Sequence, residues 1–586
     1  MIERAQALAA LSEHEFDVVV VGGGITGAGV ALDAATRGFS VALIERADYA
    51  AGTSSRSSKL VHGGLRYLQN FDLGLVREAL LERQLMVALA PHLVHPLPLV
   101  VPAFDGARPD RLMGVGLNLY DVMSVDRDRL RAGRSAIGRG RRGRASEPHP
   151  AGESGDRLAP GREGESWSPE RHRVISGEEV IELLPALAAR EPTSGYLFYD
   201  CQTDDVRLVL TVLGEAERFG AVCANRLEAL RVLELDGRAS GVRVLDRESG
   251  AELDVRGANV VNATGIWADR LNHGSEPDGR VPTIRPSRGT HILLRHKDLP
   301  LSGGAIVPAG EGRSIFALPW LGRTLIGTTD RDYEGELDHV HTSSRDIDYL
   351  LAAINEFFGA SFHPHDLVGA FAGVRPLISS GDPKKSVDIS RRAELYEAES
   401  GMLTITGGKL TTFRRMAKLT VDRLVQRDSR DAPCHTHEIP LGQAIAAEEL
   451  PRVEGVPAES YPALAGRYGY AAHEVLALAA EPGELAQPIV PGLPDLLAEA
   501  VLAARREQAL SIGDVLLRRT RLGLLAAREL RLPVERVAGV LARELGWDDA
   551  RTEREIERFA AESHAEGNRP DGDPVEGVRA EGVRPA

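Results

Sequence analysis

Residues 17 to 45 constrain the fold of this 586-residue chain more than any other segment. A short, β-branched run, Asp17–Val21, is followed by the motif Gly22-Gly23-Gly24-Ile25-Thr26-Gly27 and then by a stretch with small residues on one helical face. A second apolar run ends at Glu45. This order of strand, glycine-rich turn, helix and parallel strand is typical of the opening of a doubly wound sheet that binds a dinucleotide.

Each of the three glycines that define this motif has its own structural role. Gly22 makes the tight turn, Gly24 lets the backbone approach the pyrophosphate, and Gly27 lets helix and strand pack closely. The N-terminus of the helix offers free N–H groups to the phosphates. The Glu45 carboxylate, at the end of the second strand, can accept hydrogen bonds from the adenosine ribose.

The fingerprint itself does not distinguish NAD from FAD, but two later segments favour FAD. An apolar run enters the small-residue turn Ala263-Thr264-Gly265, and a second run enters Gly407-Gly408-Lys409 before a helix. A helix N-terminus beside a flavin can stabilise the negative charge that develops when the flavin is reduced. Each segment taken alone is also compatible with an ordinary turn.

Composition excludes some classes of protein. The net charge of −15 argues against a protein that coats nucleic acid, so an anionic ligand needs a local basic cluster. Three dispersed cysteines indicate a reducing compartment. Cys434-His435-Thr436-His437 is interpreted as a polar linker, and no metal is predicted, because no second ligand pair lies nearby. Met1–Glu15 lacks signal-peptide features and no long apolar run occurs, which leaves contact with a membrane surface open.

One internal segment lacks regular patterning, and helical patterns follow in the C-terminal part of the chain. Residues 127–168 are predicted to form a flexible insertion with eight arginines between Arg127 and Arg144. These arginines are interpreted as a solvated loop, with phospholipid or nucleic acid as the weaker alternative, because no aromatic residues are interleaved. The clearest helices further on are predicted at Leu493–Arg505 and Ile512–Arg528.

Several strings match one family. They are Thr53-Ser-Ser-Arg-Ser-Ser-Lys-Leu-Val-His-Gly-Gly-Leu-Arg-Tyr67, Val261-Asn-Ala-Thr-Gly-Ile-Trp267, Gly289-Thr-His291, Pro319-Trp320, Ile326-Gly-Thr-Thr-Asp330, Gly373-Val-Arg-Pro-Leu377, Gly407-Gly-Lys-Leu-Thr-Thr-Phe413 and Asp514-Val-Leu-Leu-Arg-Arg-Thr-Arg-Leu-Gly523. With them the chain resembles the FAD-dependent glycerol-3-phosphate dehydrogenases of the respiratory, quinone-linked type, within the D-amino-acid-oxidase-like flavoproteins. The resemblance runs from about Phe16 to Arg558, and the Arg-rich insertion is its main departure.

Together these observations predict an α/β fold. It has a Rossmann-type FAD-binding domain with an inserted, mainly β substrate domain, plus a C-terminal all-α domain. The oxidoreductase part spans 1–432, with FAD-binding segments at about 16–90, 174–285 and 366–430 and substrate-domain segments at about 91–126 and 286–365. The helical domain spans 438–563, and a disordered tail is predicted over 564–586.

The resemblance implies oxidation of sn-glycerol 3-phosphate to dihydroxyacetone phosphate, with a hydride passed to FAD. It places Arg66, Tyr67, Arg391 and Lys409 at the substrate, whose phosphate needs cationic partners. Fingerprint and resemblance together assign to the cofactor Gly22, Gly24, Gly27, Glu45, Ser57, Ser58, Lys59, Leu60, His62, Val222, Ala263, Thr264, Gly265, Gly408, Lys409 and Thr411.

Two residues are candidates for the proton-transfer chemistry. His291 is the candidate base, because an unperturbed histidine titrates near neutral pH. Arg375 is the candidate for holding the developing alkoxide by its charge, and the sequence does not rank the two roles.

The resemblance also implies a quinone as electron acceptor, a cytoplasmic protein peripheral to the inner face of the cell membrane, and a homodimer. Three alternatives stay open. The first is a glycerol-3-phosphate oxidase that uses oxygen, and the second a flavin dehydrogenase for an amine or 2-hydroxy acid. The third is a non-catalytic FAD-binding sensor or scaffold. A nicotinamide-dependent dehydrogenase is disfavoured, since it leaves the two flavin-type segments unexplained.

Overall fold

In the computed structural model, the fingerprint forms the predicted β-α-β unit. Strands Glu15–Val21 and Val41–Ile44 pair in parallel, with Val18 opposite Val41, and the helix Ile25–Thr36 connects them. Gly38 follows this helix with φ of 80°, a conformation that suits glycine at a helix C-terminus.

The structure describes residues 1–64, 73–106, 111–124, 171–272, 284–310, 312–378, 393–481 and 483–567. The strands are β1 Glu15–Val21, β2 Val41–Ile44, β3 Leu60–Val61, β4 His95–Ala103, β5 Arg173–Ser176, β6 Ser194–Gln202, β7 Val222–Ala224, β8 Leu227–Leu235, β9 Arg238–Asp246, β10 Glu252–Asn262, β11 Ile284–Arg295, β12 Gly304–Pro308, β13 Ser314–Trp320, β14 Arg323–Gly327, β15 Arg331–Asp332, β16 Gly369–Ile378, β17 Ala393–Glu397 and β18 Leu403–Gly407. The α-helices are α1 Arg4–Glu13, α2 Ile25–Thr36, α3 Leu73–Leu89, α4 Arg111–Ser124, α5 Gly177–Leu183, α6 Asp205–Arg218, α7 Ser344–Phe358, α8 Phe413–Arg427, α9 Ser460–Tyr468, α10 Ala472–Ala479, α11 Leu497–Arg506, α12 Leu522–Leu525, α13 Arg531–Leu545 and α14 Asp549–Ala565.

The first sheet holds the dinucleotide fingerprint. Its strand order is β17-β18-β10-β1-β2-β7, and the β8–β9 hairpin extends from β10. The pairs among β7, β2, β1, β10 and β18 are parallel, and helices α2, α6 and α8 contribute to the core on this sheet. The carboxyl ends of β1, β10 and β18 therefore lie together, which is where open α/β sheets bind ligands.

The second sheet is predominantly antiparallel and is covered by α7. Its order is β15-β11-β14-β13-β12-β4-β6-β3, with β16 beside β11 and β5 beside β6. Strands β5, β6 and β16 lie in segments that the sequence analysis assigned to the FAD-binding part, and they pair within this second sheet. A strand pattern does not reveal its partner, and nine residues of β6 pair with β4 about a hundred positions earlier.

The C-terminal part is helical, but one predicted helix is wrong. The continuous helix expected over Ile512–Arg528 is instead a π-helix, Asp514–Arg519, followed by a break at Arg521 and the short α12. Arg521 has φ of 65°, which L-residues adopt at a cost, and its side chain is fully buried in ion pairs. The helix is therefore interrupted at the residue that carries these ion pairs.

The C-terminal end of the described chain extends further than predicted. Helix α14 continues to Ala565, and Glu566 beyond it is ion-paired with Arg56, so the first residues of the predicted tail belong to the structured part of the chain. Residues 127–168 and 568–586, predicted as insertion and tail, lie outside the described residues. Within the described ranges, no helix combines the length and the apolarity that crossing a bilayer requires.

Candidate active site

The fingerprint glycines pack as tightly as the predicted roles require. A Cβ atom on Gly22 would lie 2.6 Å from the Ala263 carbonyl oxygen, and one on Gly27 would lie 1.9 Å from the Gly22 carbonyl oxygen. Gly24 is the N-cap of α2 and has no side chain that could cover the first turn of the helix. The Ile25 N–H donates a hydrogen bond to Ser54 Oγ at 3.0 Å. The helix N-terminus is therefore open to an anion.

Glu45 lies at the end of β2, as predicted, but its carboxylate already has two protein partners. It accepts hydrogen bonds from the Gly23 N–H at 2.7 Å and from the Ala47 N–H at 2.8 Å. Burial raises the pKa of Glu45, and the two backbone donors partly offset this effect. An ionised carboxylate has about four acceptor positions, so capacity remains for ribose hydroxyls.

A cavity of about 900 Å³ extends from this turn to the carboxyl end of β18. Its volume lies near the top of the roughly 300–1,000 Å³ range of small-molecule sites. The residues predicted for the cofactor that line it are Gly22, Gly24, Glu45, Ala263, Thr264, Gly265, Gly408 and Lys409. Those that do not line it are Gly27, Ser57, Ser58, Lys59, Leu60, His62, Val222 and Thr411.

The cavity fits FAD at both of its ends. At one end are the open α2 N-terminus and Glu45, which suit a pyrophosphate and a ribose. At the other end are Gly407 and Gly408, both with positive φ, and the buried Lys409 ammonium. A cation and a helix start at that end suit the charge that a flavin gains on reduction.

The Lys59 side chain takes part in a buried ion pair that the sequence analysis did not predict. Its ammonium is fully buried, 2.7 Å from Asp205 Oδ2 and 2.6 Å from the Ser55 carbonyl oxygen. The same carboxylate accepts hydrogen bonds from the Ser57 hydroxyl at 2.7 Å and from Arg521 at 3.1 Å. The motif thus supplies Lys59 to a buried cluster, defined here as the Asp205 cluster, of Ser57, Lys59, Asp205 and Arg521.

Two cations compensate one carboxylate in the Asp205 cluster. Burial would raise the pKa of Asp205, but Lys59 and Arg521 outweigh burial and hold it below its usual value. Burial and the charge of Arg521 lower the pKa of Lys59 to about 7. Arginine stays protonated in proteins, so the positive charge of Arg521 compensates the Asp205 carboxylate. Lys59, with its lowered pKa, is the member of the cluster that loses its proton more easily.

His291 lies on β11, only 2% exposed, next to this cluster. Its Nε2 atom is 2.9 Å from the Ser58 hydroxyl, and its ring stacks on Phe371 at 4.8 Å. The Lys59 ammonium is 4.8 Å from the same Phe371 ring. Among the described residues, the buried Nδ1 atom of His291 has no hydrogen-bond partner.

The pKa of His291 is lower than that of the unperturbed histidine assumed in the sequence analysis. Burial first, and the positive charges of Lys59 and Arg375 next, lower its pKa well below the ordinary 6.5. The side chain is therefore neutral at pH 7, which is the form that accepts a proton.

Arg375 reaches the same region from the neighbouring strand β16. Its guanidinium extends across Gly289, where Nη2 is 3.1 Å from Thr328 Oγ1 and Nη1 is 3.5 Å from Asp330 Oδ1. Gly289 precedes His291 by two residues on β11, so Arg375 and His291 are neighbours on one face of the sheet. The other predicted substrate residues, Arg66, Tyr67 and Arg391, lie outside the described residues.

Comparison with known proteins agrees with this architecture. Residues 17–423 match the family of FAD dependent oxidoreductases, and residues 434–552 match the C-terminal domain of alpha-glycerophosphate oxidase. The chain is 36% identical to glycerol-3-phosphate dehydrogenase 2 of Mycobacterium bovis, covering 96% of this chain and 91% of the relative. The chain belongs to the FAD-dependent glycerol-3-phosphate dehydrogenase family.

Further relatives agree with this assignment. The mitochondrial glycerol-3-phosphate dehydrogenase of Bos taurus is 33% identical, covering 94% of this chain and 74% of the relative. The crystal structure of the Bacillus halodurans glycerol-3-phosphate dehydrogenase complexed with FAD has a TM-score of 0.74 at 27% identity, covering 98% of this chain and 99% of that chain. The predicted fold class and the predicted cofactor, FAD, are confirmed.

Sequence reasoning missed two members of the Asp205 cluster. Asp205 follows Asp204 at the start of α6, where acidic residues are common, so its position carries no signal of a distant partner. Arg521 lies 316 residues later. One signal was available, because three arginines occur in the otherwise apolar segment Val515–Leu525, and buried arginines need acidic partners.

Gly289→Ala is expected to displace Arg375 in this glycerol-3-phosphate dehydrogenase. The new Cβ would lie 2.5 Å from Arg375 Nη2 and 2.5 Å from Thr328 Oγ1, so the guanidinium has to move. We expect kcat/KM for glycerol 3-phosphate to fall by about 10- to 100-fold with FAD content unchanged, because small misplacements near the chemistry are costly.

The matched control for this substitution is Gly214→Ala in helix α6, where a Cβ atom meets no neighbour within 4 Å. It should leave kcat/KM unchanged. An undiminished kcat/KM in Gly289→Ala would show that the position of Arg375 is unimportant for turnover.

Proposed function

We propose that the protein oxidises sn-glycerol 3-phosphate to dihydroxyacetone phosphate, with His291 as the base for the C2 hydroxyl. The observation that carries this proposal is a neutral, buried histidine beside an arginine on one face of the second sheet. Bound FAD supplies the hydride acceptor for the C2 hydrogen. His291 Nδ1 takes the hydroxyl proton, while Ser58 holds Nε2 and the Phe371 ring fixes the plane of the imidazole.

Arg375 has a second task in this proposal. As the proton leaves, negative charge develops on the C2 oxygen, and a fixed guanidinium stabilises it without reorganisation. Thr328 and Asp330 hold the guanidinium in place. Substrate binding then opposes the low pKa of His291, because the phosphate brings nearly two negative charges close to the imidazole.

We further propose that Arg66, Tyr67, Arg391 and Lys409 bind the substrate phosphate. The support for Lys409 is its position at the edge of the cofactor cavity, directly before the 3₁₀ turn Leu410–Thr412 that leads into helix α8. For the other three the support is their match to the family strings.

We propose that the electrons leave to a quinone, from a homodimer on the inner face of the cell membrane. The support is the resemblance to the respiratory members of the family. The rival acceptor is oxygen, as the match of residues 434–552 to an oxidase domain would suggest.

We also propose that the domain boundaries given above, adjusted for β5, β6 and β16, describe the folding units.

Anaerobic addition of glycerol 3-phosphate to the purified holoenzyme tests the reaction itself. We expect the flavin absorbance to bleach, because substrate hydride reduces bound FAD. The same additions of an amine and of a 2-hydroxy acid should leave the flavin oxidised. Flavin that stays oxidised with glycerol 3-phosphate would contradict the proposed function and favour the sensor or scaffold.

Mixing the reduced enzyme with either oxidant identifies the acceptor. We expect a soluble quinone analogue to reoxidise the flavin much faster than dissolved oxygen does. Faster reoxidation by oxygen, with formation of hydrogen peroxide, would identify an oxidase.

A further inference from the structure

The last described helix, α14, borders the FAD cavity although it belongs to the C-terminal part of the chain. Arg558, Ala561, Glu562 and Ala565 on one side of α14, and Glu566 after it, line the cavity. Spacings of three and four residues place these side chains on one helical face. The match to the C-terminal family domain ends at residue 552, before all of these positions.

Three ion pairs connect α14 to the rest of the cavity wall. At its start, Arg551 is 2.9 Å from Glu248, a residue that also lines the cavity. At its end, Glu566 pairs with Arg56, and both side chains are less than 10% exposed. Between them, Glu562 is 3.3 Å from Arg518.

These pairs make an acidic helix compatible with an anionic ligand. Glu562 and Glu566 face a cavity that has to accept the pyrophosphate of FAD, and two bare carboxylates there would repel it. Arg56 pairs with Glu566, and Arg518, which also pairs with Asp48 and Asp514, places a shared positive charge beside Glu562. Arg56 also joins the two sites, since its backbone packs against Gly373, two residues before Arg375 on β16.

Apolar packing also holds α14 in place. Phe559 is 2% exposed and belongs to the core of the C-terminal helices. It does not line the cavity. The docking of α14 can therefore be weakened without changing any group that would touch the cofactor.

We propose that α14 and Glu566 are the closing wall of the FAD site, and that FAD leaves the protein only when this helix moves. The cavity has the fingerprint on one side and α14 on another, so a bound dinucleotide is enclosed between them. By linkage, a helix that retains FAD is itself held in place by FAD. The proposal rests on the binding of FAD, and it is independent of the substrate.

The rate of FAD release from the holoenzyme tests the proposal. It is measured without substrate, as the free flavin that rapid ultrafiltration collects at intervals after dilution. Phe559→Ala is expected to accelerate release by about tenfold or more, because it loosens the docked helix. Arg551→Gln removes one partly exposed ion pair and should accelerate release by only about two- to fivefold. Arg551→Lys should restore slow release.

Arg536→Gln is the matched control. Arg536 lies on helix α13, away from the cavity, and the substitution removes its partly exposed ion pair with Glu484. It should release FAD at the wild-type rate. Wild-type release rates in both Arg551→Gln and Phe559→Ala would overturn the proposal. If Phe559→Ala does not fold, an unchanged rate in Arg551→Gln alone overturns it.

Amide hydrogen exchange gives a second, direct measurement on the wild-type protein. We expect FAD to slow exchange in peptides from 549–567 by about tenfold relative to the apoprotein. Peptides from α13, outside the cavity wall, should exchange equally with and without FAD. Equal exchange of 549–567 in the two states would also overturn the proposal. Flavin bleaching by glycerol 3-phosphate is a separate readout, so failure of either proposal leaves the other testable.

Discussion

His291→Asn is expected to lower kcat for glycerol 3-phosphate by about 100-fold or more, the usual loss when a general base is removed. Asparagine keeps a polar group near the Ser58 hydroxyl and fits the space beside Phe371, but it cannot accept the proton. FAD content should remain at the wild-type level, because His291 does not line the cofactor cavity. Steady-state kinetics with flavin quantification measure both quantities.

The pH dependence follows from the lowered pKa of His291. As pH falls, protonation removes the base, so kcat/KM should fall on the acid side. Since burial and two nearby cations lower this pKa, the acid limb of kcat/KM should lie below pH 6.5. The substrate phosphate also titrates, with a second pKa of about 6, and its limb should be the one that survives in His291→Asn.

His92→Asn is the matched control, since His92 is also a buried histidine, and burial lowers its pKa to about 4. It lies outside the cavity and should keep wild-type kcat. A His291→Asn variant with changed KM and unchanged kcat would contradict the role of base and leave Arg375 as the main candidate.

Local patterns predicted the parts of the site that are local in sequence. Gly22, Gly24 and Glu45 all lie within one β-α-β unit, and their spacing determines their geometry. Ala263-Thr264-Gly265 and Gly407-Gly408-Lys409 follow parallel strands, whose carboxyl ends meet at one edge of a sheet. The sequence could therefore bring these segments together before any contact was seen.

Long-range pairings could not be predicted in the same way. Lys59 was assigned to FAD with its neighbours in the motif, whereas its side chain turns inward to Asp205. The sequence pattern predicted one helix through Arg521, yet the chain leaves the helical conformation there, at a residue whose side chain pairs with Asp205. Which distant charges meet depends on the packing of whole domains, and a single sequence carries little information about that.

Arg521→Met is expected to destabilise the protein by about 1–3 kcal/mol, because it removes the buried hydrogen bonds that the guanidinium donates to the Asp205 carboxylate and to the Ser55 carbonyl oxygen. Arg521 is fully buried, 3.1 Å from Asp205 and 2.8 Å from the Ser55 carbonyl oxygen. Its removal should also raise the pKa of Lys59, since the charge of Arg521 helps to lower it. Urea unfolding followed by both flavin fluorescence and far-UV circular dichroism measures the loss and shows whether the domains separate.

Two further variants separate the charge effect from a loss of packing. Arg536→Met removes a partly exposed pair on α13 and should cost less than about 1 kcal/mol. The double variant Asp205→Asn/Arg521→Met removes both buried partners, so its loss should be smaller than the sum of the two single losses. Additive losses, or an Arg521→Met variant as stable as Arg536→Met, would show that the Asp205 cluster does not stabilise the contact between the helical domain and the segment that carries Lys59. If the coupling is found, the helical domain supports the catalytic region through Lys59 and Phe371, whose ring contacts His291.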